Sequence, residues 1–322
     1  MPFQRLAAAL IWIATLASAG PMAAADIFVI GGKPDDPFWS IVRRGVEDAQ
    51  LVVDAQLGSV TWLGLEDYDR LGADAAALIR EAISRHADGI VAPDWDPGSM
   101  DPAFEEAAAA GIPLVIYNAG GIAAAKRLGA LTYVGSDNFA SGREAGLYFG
   151  EQGFVEVVCV NTLPGLANIA DMCGGLEAGL ADAGGRGMTL VLPEGSFGVQ
   201  DVVSDAIKAH LLENPGVSGI LAIGNQDVVA ARDAVARAGK AGRVKVGGIN
   251  LDETTMDNIR SGTQLFAIDQ QGYLQGFFAV TILNAHVNFG LTVPRREILT
   301  GPGMVDLGNI DIVQRGIRRG AR

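Results

Sequence analysis

The sequence is poor in the residues that run reactions or hold metals. Its 322 residues include three scattered histidines, His86, His210 and His286, and two cysteines, with no CxxC pair. That is too few donors at ligand spacing for a zinc site. GxSxG, HExxH and GxxxxGK[ST] are absent, and the Gly31-Gly32 turn lacks the GxGxxG spacing of a dinucleotide fold. Glycoside cleavage by paired carboxylates would need Asp36, Asp94 and Asp227 to converge. No catalytic residue, cofactor or metal is therefore assigned, and an enzyme stands only as the weakest alternative. Basic residues are scarce too: 24 Lys plus Arg against 37 Asp plus Glu give a net charge of −13. Such a charge repels phosphate backbones and anionic headgroups. The one basic cluster, Arg315, Arg318, Arg319 and Arg322, sits beside glycines without interleaved aromatics. No nucleic-acid or membrane-surface partner is expected.

What the chain does have is a leader and a large apolar content. One basic residue, Arg5, precedes an apolar run from Leu6 to Ala17, then small residues ending in Ala23-Ala24-Ala25. This is the charged, apolar and A-x-A order of a secretory signal, and the run is shorter than the roughly 20 residues a spanning helix needs. Residues 1–25 are read as a cleaved signal, leaving an exported chain from Asp26. In an oxidising compartment Cys159 and Cys173 favour pairing over the alternative of two buried thiols. A disulfide closing that loop adds about 3 kcal/mol in the chain-entropy model.

The length suits two domains at roughly 150 residues each. With 49% apolar residues both can bury a core. Short Val- and Ile-rich runs at 26–31, 59–64, 88–92, 113–117 and 131–134 are followed by a second set at 156–161, 187–192, 218–223, 243–249 and 264–268. Helical patterns alternate with them at 37–54, 69–85, 99–110, 138–152, 168–183, 199–213, 226–238, 252–260 and 271–289. Strands alternating with helices predict an α/β protein of two doubly wound, parallel-sheet lobes. Ligands of such sheets bind beyond the carboxyl ends of the strands, which places a site in the cleft between facing lobes.

That rule selects specific residues. The loop after 26–31 carries Lys33, Asp36, Phe38 and Trp39; that after 88–92 carries Asp94, Trp95 and Asp96. Asn118, Asn161, Phe197, Asn225, Asn250 and Gln270 fall at other strand ends. Aromatic faces cover the C–H faces of a sugar ring while Asp and Asn take its hydroxyls. Plainer roles compete. Asp36-Pro37 is also a helix start, Phe38 and Trp39 are equally good core residues, and Asp94 and Asp96 suit Asx turns beside Pro93 and Pro97.

With these residues in view, residues 26–314 resemble a ribose/galactose-type periplasmic binding protein, the soluble receptor of a sugar ABC transporter. The resemblance rests on PDDPFW at 34–39, DGIVAP at 88–93, GIPLVIYN at 111–118, YVGSDN at 133–138, the strand ending at Asn250, and FAIDQQ at 266–271. It also extends to a subgroup with a Cys pair across 159–173. It implies the type I fold, with two lobes joined by a three-strand hinge: 26–135 plus about 270–292, and 136–269 plus about 293–314, leaving 315–322 as a basic tail. It further implies a periplasmic monomer that closes on a monosaccharide or polyol and docks transiently on a membrane ABC permease. A sugar sensor feeding a chemoreceptor or kinase is the first alternative, and an exported sugar-processing enzyme the weaker one.

By position, Asp36, Asn225 and Gln270 match polar ligand contacts, Phe38 and Trp39 match stacking aromatics, and Phe197 stacks from the second lobe. Asn118 and Asn250 fall where ribose binders place carboxylates, while Ala119 and Met172 stand where they place arginines. Losing those charge-assisted bonds argues for a different pentose, a hexose or a polyol over ribose. It argues equally against a sugar acid, unless Lys33 takes the charge.

Overall fold

A computed structural model of the chain describes residues 24–294 and 297–322. The leader expected over 1–25 falls almost entirely outside the described residues. In chain order the elements are β1 (Asp26–Gly31), α1 (Pro37–Asp54), β2 (Ser59–Gly64), α2 (Leu71–Ser84), β3 (Gly89–Ala92), α3 (Pro97–Ala109), β4 (Leu114–Tyr117), α4 (Gly121–Arg127) and β5 (Thr132–Ser136). They continue with α5 (Asn138–Glu151), β6 (Glu156–Asn161), α6 (Ala167–Asp182), β7 (Arg186–Val191), α7 (Gln200–Glu213), β8 (Gly219–Ala222), α8 (Asn225–Arg237), β9 (Lys245–Ile249), α9 (Glu253–Arg260) and β10 (Phe266–Asp269). Last come α10 (Gly272–Phe289), β11 (Glu297–Gly301), β12 (Gly303–Val305) and α11 (Ile310–Ile317).

The strands form two sheets of six among the described residues, ordered β11-β5-β4-β3-β1-β2 and β12-β10-β9-β8-β6-β7. Apart from the antiparallel β10–β12 pair, neighbours are parallel. Buried on both faces, the inner strands carry continuous apolar runs, as parallel sheets do. Ile27, Val29, Ile90 and Val115 are fully buried in the first lobe, Val158, Val160 and Ile220 in the second.

The chain passes between lobes three times: from β5 into α5, from β10 into α10, and from β11 to β12. Each long crossover helix packs on the first helix of the lobe it enters, α5 on α6 and α10 on α1. Glycines set how closely they approach. A Cβ on Gly142 would lie 1.9 Å from the Met172 carbonyl oxygen, and one on Gly175 would lie 2.1 Å from that of Phe139.

One expected boundary needs correcting. The sequence resemblance puts the segment from about 293 in the second lobe, but β11 pairs with β5 in the first sheet, through Ile298↔Val134 and Leu299↔Gly135. Only from Gly303 does the chain pair with β10. The five-residue run Glu297–Gly301 is too short and too exposed to announce itself as a strand.

Candidate functional site

The carboxyl ends of the two sheets face each other across a cavity of about 110 Å³. That is well below the roughly 300–1,000 Å³ of a drug- or cofactor-sized pocket, and it suits a single small ring. Of the expected residues, Asp36, Phe38, Trp39, Trp95, Asn118, Phe197, Asn250 and Gln270 line it.

One wall is aromatic. Trp39, on the first turn of α1, meets Phe38 edge-on at 5.3 Å, Trp95 at 5.5 Å and Tyr117 at 5.9 Å between ring centroids. Each such pair adds about 0.5–1.5 kcal/mol beyond area burial, so the rings form a fixed surface.

Asp36 caps α1 and also lines the cavity. Its Oδ1 accepts from the Phe38 N–H at 2.9 Å, capping α1, and its Oδ2 accepts from the Tyr68 hydroxyl at 2.8 Å. The Tyr68 oxygen in turn accepts from the Lys33 N–H at 3.2 Å. Burial first, then the Asp36 charge, drives the Tyr68 hydroxyl far above its ordinary titration range, so it stays neutral. From the other lobe Phe197 meets the Tyr68 ring edge-on at 5.9 Å. This contact closes one side of the cavity with a residue from each lobe.

Amides line the rest of the cavity's polar surface together with Asp36. Asn118 donates from Nδ2 to Gln275 Oε1 at 3.1 Å, and Asn250 Oδ1 accepts from Gln270 Nε2 at 2.9 Å. Asn138 and Gln226 complete the amide lining, and Asn168 adds a buried Oδ1 with no hydrogen-bond partner. A bound hydroxyl would satisfy that acceptor. No Lys, Arg or His is among the described residues lining the cavity. The Cys159–Cys173 disulfide joins β6 to α6, and Cys173 directly follows Met172 of the lining.

Four expected residues are placed elsewhere. Lys33 turns outward, its Nζ 3.6 Å from Asp35 and 5.9 Å from the centre of the Tyr68 ring. Asp94 is buried at 1% exposure and bonded to Arg127. Adjacent side chains leave that strand end in different directions, so Trp95 reaches the cavity and Asp94 does not. Burial, then Asp101, push its carboxyl up to about 6 against the pull of Arg127. Asn161 spends its Oδ1 on the Leu163 N–H at 3.0 Å. Asn225 donates to Asp252 at 3.1 Å, and its neighbour Gln226 takes the cavity position instead. Asp96 is an N-cap, accepting from the Gly98 N–H at 3.2 Å. Asp227 accepts from the Thr162 hydroxyl at 2.7 Å, so the three carboxylates weighed for glycoside cleavage have separate partners.

Sequence reasoning did not single out Tyr68, Leu71, Asn138, Leu163, Leu166 or Asn168, all in the lining. The strand-end rule reaches Asn138, two residues past β5. Tyr68 lies four residues beyond β2, where only its pairing with Asp36 marks it.

A family model described as a periplasmic binding protein domain matches residues 27–291. The chain is 28% identical over 314 residues to the xylose/arabinose-binding protein XylF of Sulfolobus acidocaldarius, covering 88% of this chain and 75% of that protein. Among solved structures it is similar to a carbohydrate transporter from Acidothermus cellulolyticus 11B in complex with myo-inositol. The identity there is 31% and the TM-score 0.82, over 92% of this chain and all of that one. A periplasmic solute-binding protein of an ABC transporter from Actinobacillus succinogenes 130z, with bound D-allose, shares the fold. It superposes with a TM-score of 0.75 at 22% identity, over 89% of this chain and 99% of that one.

Proposed function

Since the chain belongs to the periplasmic binding protein family, we propose that it captures a neutral monosaccharide or cyclic polyol between its lobes and delivers it to an ABC permease. The observation that carries this reading is the cavity lining: aromatic rings together with amides drawn from both lobes, with no cationic side chain among the described lining residues. Amides both donate and accept, as hydroxyls do, so they match a ring bearing several hydroxyls. A sugar acid or phosphate would find no cation to pair with its charge. The relatives' pentoses, hexose and inositol belong to the same chemical class.

Closure follows from where the groups sit. A ligand touching Trp39 and Asn118 in one lobe and Asn250 and Phe197 in the other gains the second set only when the lobes meet, so it biases the closed form. The protein acts as a monomeric periplasmic receptor, released from its leader near Ala25, and carries the ligand without transforming it.

The test is a thermal-shift and calorimetry panel on the chain from Asp26, refolded to strip carried-over ligand. Myo-inositol, D-xylose, L-arabinose, D-allose, galacturonate and NAD are the probes. Ligand at 1,000 times its dissociation constant adds about 4 kcal/mol, and one neutral sugar or polyol is expected to raise the midpoint by several degrees, unchanged on recovery. Binding only of galacturonate or NAD, or recovery of an altered sugar, sinks the reading.

A further inference from the structure

The basic tail lines no part of the cavity, yet it folds onto the hinge. After α11 the N–H groups of Arg319 and Ala321 return to the Gly316 carbonyl at 3.1 Å, and that of Gly320 to Ile317 at 2.9 Å. This curl lays Arg322 across Gly316, where an added Cβ would lie 2.9 Å from its Cδ. The Arg322 Nε then stands 3.4 Å from Oδ2 of Asp269.

Asp269 ends β10 at the second crossover and is 5% exposed. Its Oδ1 accepts from the Gln271 N–H at 2.7 Å. Gln271 has φ of +51°, in the left-handed region that residues with side chains avoid, so this turn needs holding. The turn carries Gln270. The carbonyl of Gln270 accepts from Gln275 Nε2 at 3.0 Å and from the Thr300 hydroxyl at 2.8 Å, while its Nε2 reaches Asn250 in the cavity. Around Asp269, β12 offers Gly303, β9 ends at Ile249 with Asn250 just beyond it, and α10 begins at Gly272. The charged group facing it among the described residues is Arg322.

We propose that Arg322 is a positioning residue: paired with Asp269, it holds the Asp269–Gln271 turn that presents Gln270 to Asn250 and the ligand. The proposal rests on the cavity being the sugar site. Its physical content is that a buried carboxylate without a counter-charge tends to take up a proton, and a neutral carboxyl holds the Gln271 N–H less strongly than an ionised one. Burial raises the Asp269 pKa, while the Gln271 N–H and Arg322 pull it back.

R322A and R322K separate this role from general stability. In two-dimensional NMR from pH 3 to 8, the Gln271 amide reports Asp269 ionisation without any ligand. R322A is expected to move that midpoint upward and R322K to return it. By calorimetry at pH 5 and pH 8 with myo-inositol, D-xylose, L-arabinose and D-allose, R322A is expected to weaken binding about three- to tenfold. The loss is larger at pH 5, and R322K restores affinity. An unchanged Gln271 titration in R322A overturns the proposal, as does a shifted titration with wild-type affinity. If the wild type takes none of the four probes, the sugar reading falls by itself and the amide titration alone decides for or against Arg322.

Discussion

Asn118 and Asn250 occupy equivalent places in the two lobes. Each directly follows the fourth strand of its lobe, with φ of +61° and +73°. Each donates its N–H to the carbonyl of the next strand, Asn118 to Val134 at 3.0 Å and Asn250 to Ile268 at 2.9 Å. Asn tolerates this left-handed turn better than other residues with side chains, and the turn ends the strand while leaving the amide in the cavity lining. The two are also joined. Asn118 bonds Gln275, Gln275 bonds the Gln270 carbonyl, and Gln270 bonds Asn250. The relay runs through the β10–α10 crossover, so amides on opposite sides of the cleft share one support at the hinge.

Asn250 therefore combines a backbone role with a side-chain role, and two substitutions separate them. N250G keeps the positive φ and deletes the amide; it should weaken binding of the cognate sugar by about 1–3 kcal/mol with little change in melting. N250A should lose the same affinity and also about 1–2 kcal/mol of stability to backbone strain. Calorimetry beside thermal melts reads both. Wild-type affinity in N250G would remove Asn250 from the site.

Much of this was legible because parallel strands are apolar runs bounded by turn residues. The predicted 26–31, 59–64 and 156–161 coincide with β1, β2 and β6. Helix α4 was not predicted, because Gly121–Arg127 shows two turns without a clear periodic face. Site residues set by strand ends, such as Asn118 and Trp95, were within reach. Those set by long-range pairing were not: Tyr68 earns its place through Asp36, 32 positions away. Asp94 and Asn225 show the converse limit. A strand-end position says that a side chain is near the cleft, whereas Arg127 and Asp252 decide that these two face elsewhere.

The close contact of α5 with α6 predicts a sharp contrast between neighbouring glycines. G175A puts a Cβ 2.1 Å from a carbonyl oxygen, so the helices must part. A loss of about 1–3 kcal/mol is expected from overpacking. G174A on the same helix meets nothing nearer than 4.0 Å and should be neutral or stabilising by up to about 1 kcal/mol. Urea melts of both variants check this, and equal losses would disprove the packing argument.

The disulfide makes a separate claim on stability. Cys159 lies in β6 and Cys173 in α6, 14 residues apart. Reducing it, or changing both cysteines to serine, should cost about 2–4 kcal/mol and lower the melting midpoint by several degrees. Sugar affinity at 25 °C should fall far less, because neither sulfur lines the cavity. A melt unaffected by reductant would show that the bond adds nothing.

Asp227 gives the protein a pH dependence with a definite sign. Its carboxyl is 1% exposed, and burial pushes its pKa up to about 7 even though the Thr162 hydroxyl bonds it. An unfolded aspartate titrates near 3.9, so between about pH 4 and 7 the folded chain binds more protons here than the unfolded one. Stability through this group must then fall as pH rises across that window and level off above it. D227N retains an acceptor for Thr162 without the charge. The variant's stability relative to wild type should therefore increase from pH 4 to pH 8. Asp94, pushed up to about 6, acts in the same direction in both proteins and largely cancels in the comparison. Melting the pair at pH 4, 6 and 8 tests the point: a difference that stays constant with pH would mean that Asp227 titrates as an ordinary carboxylate.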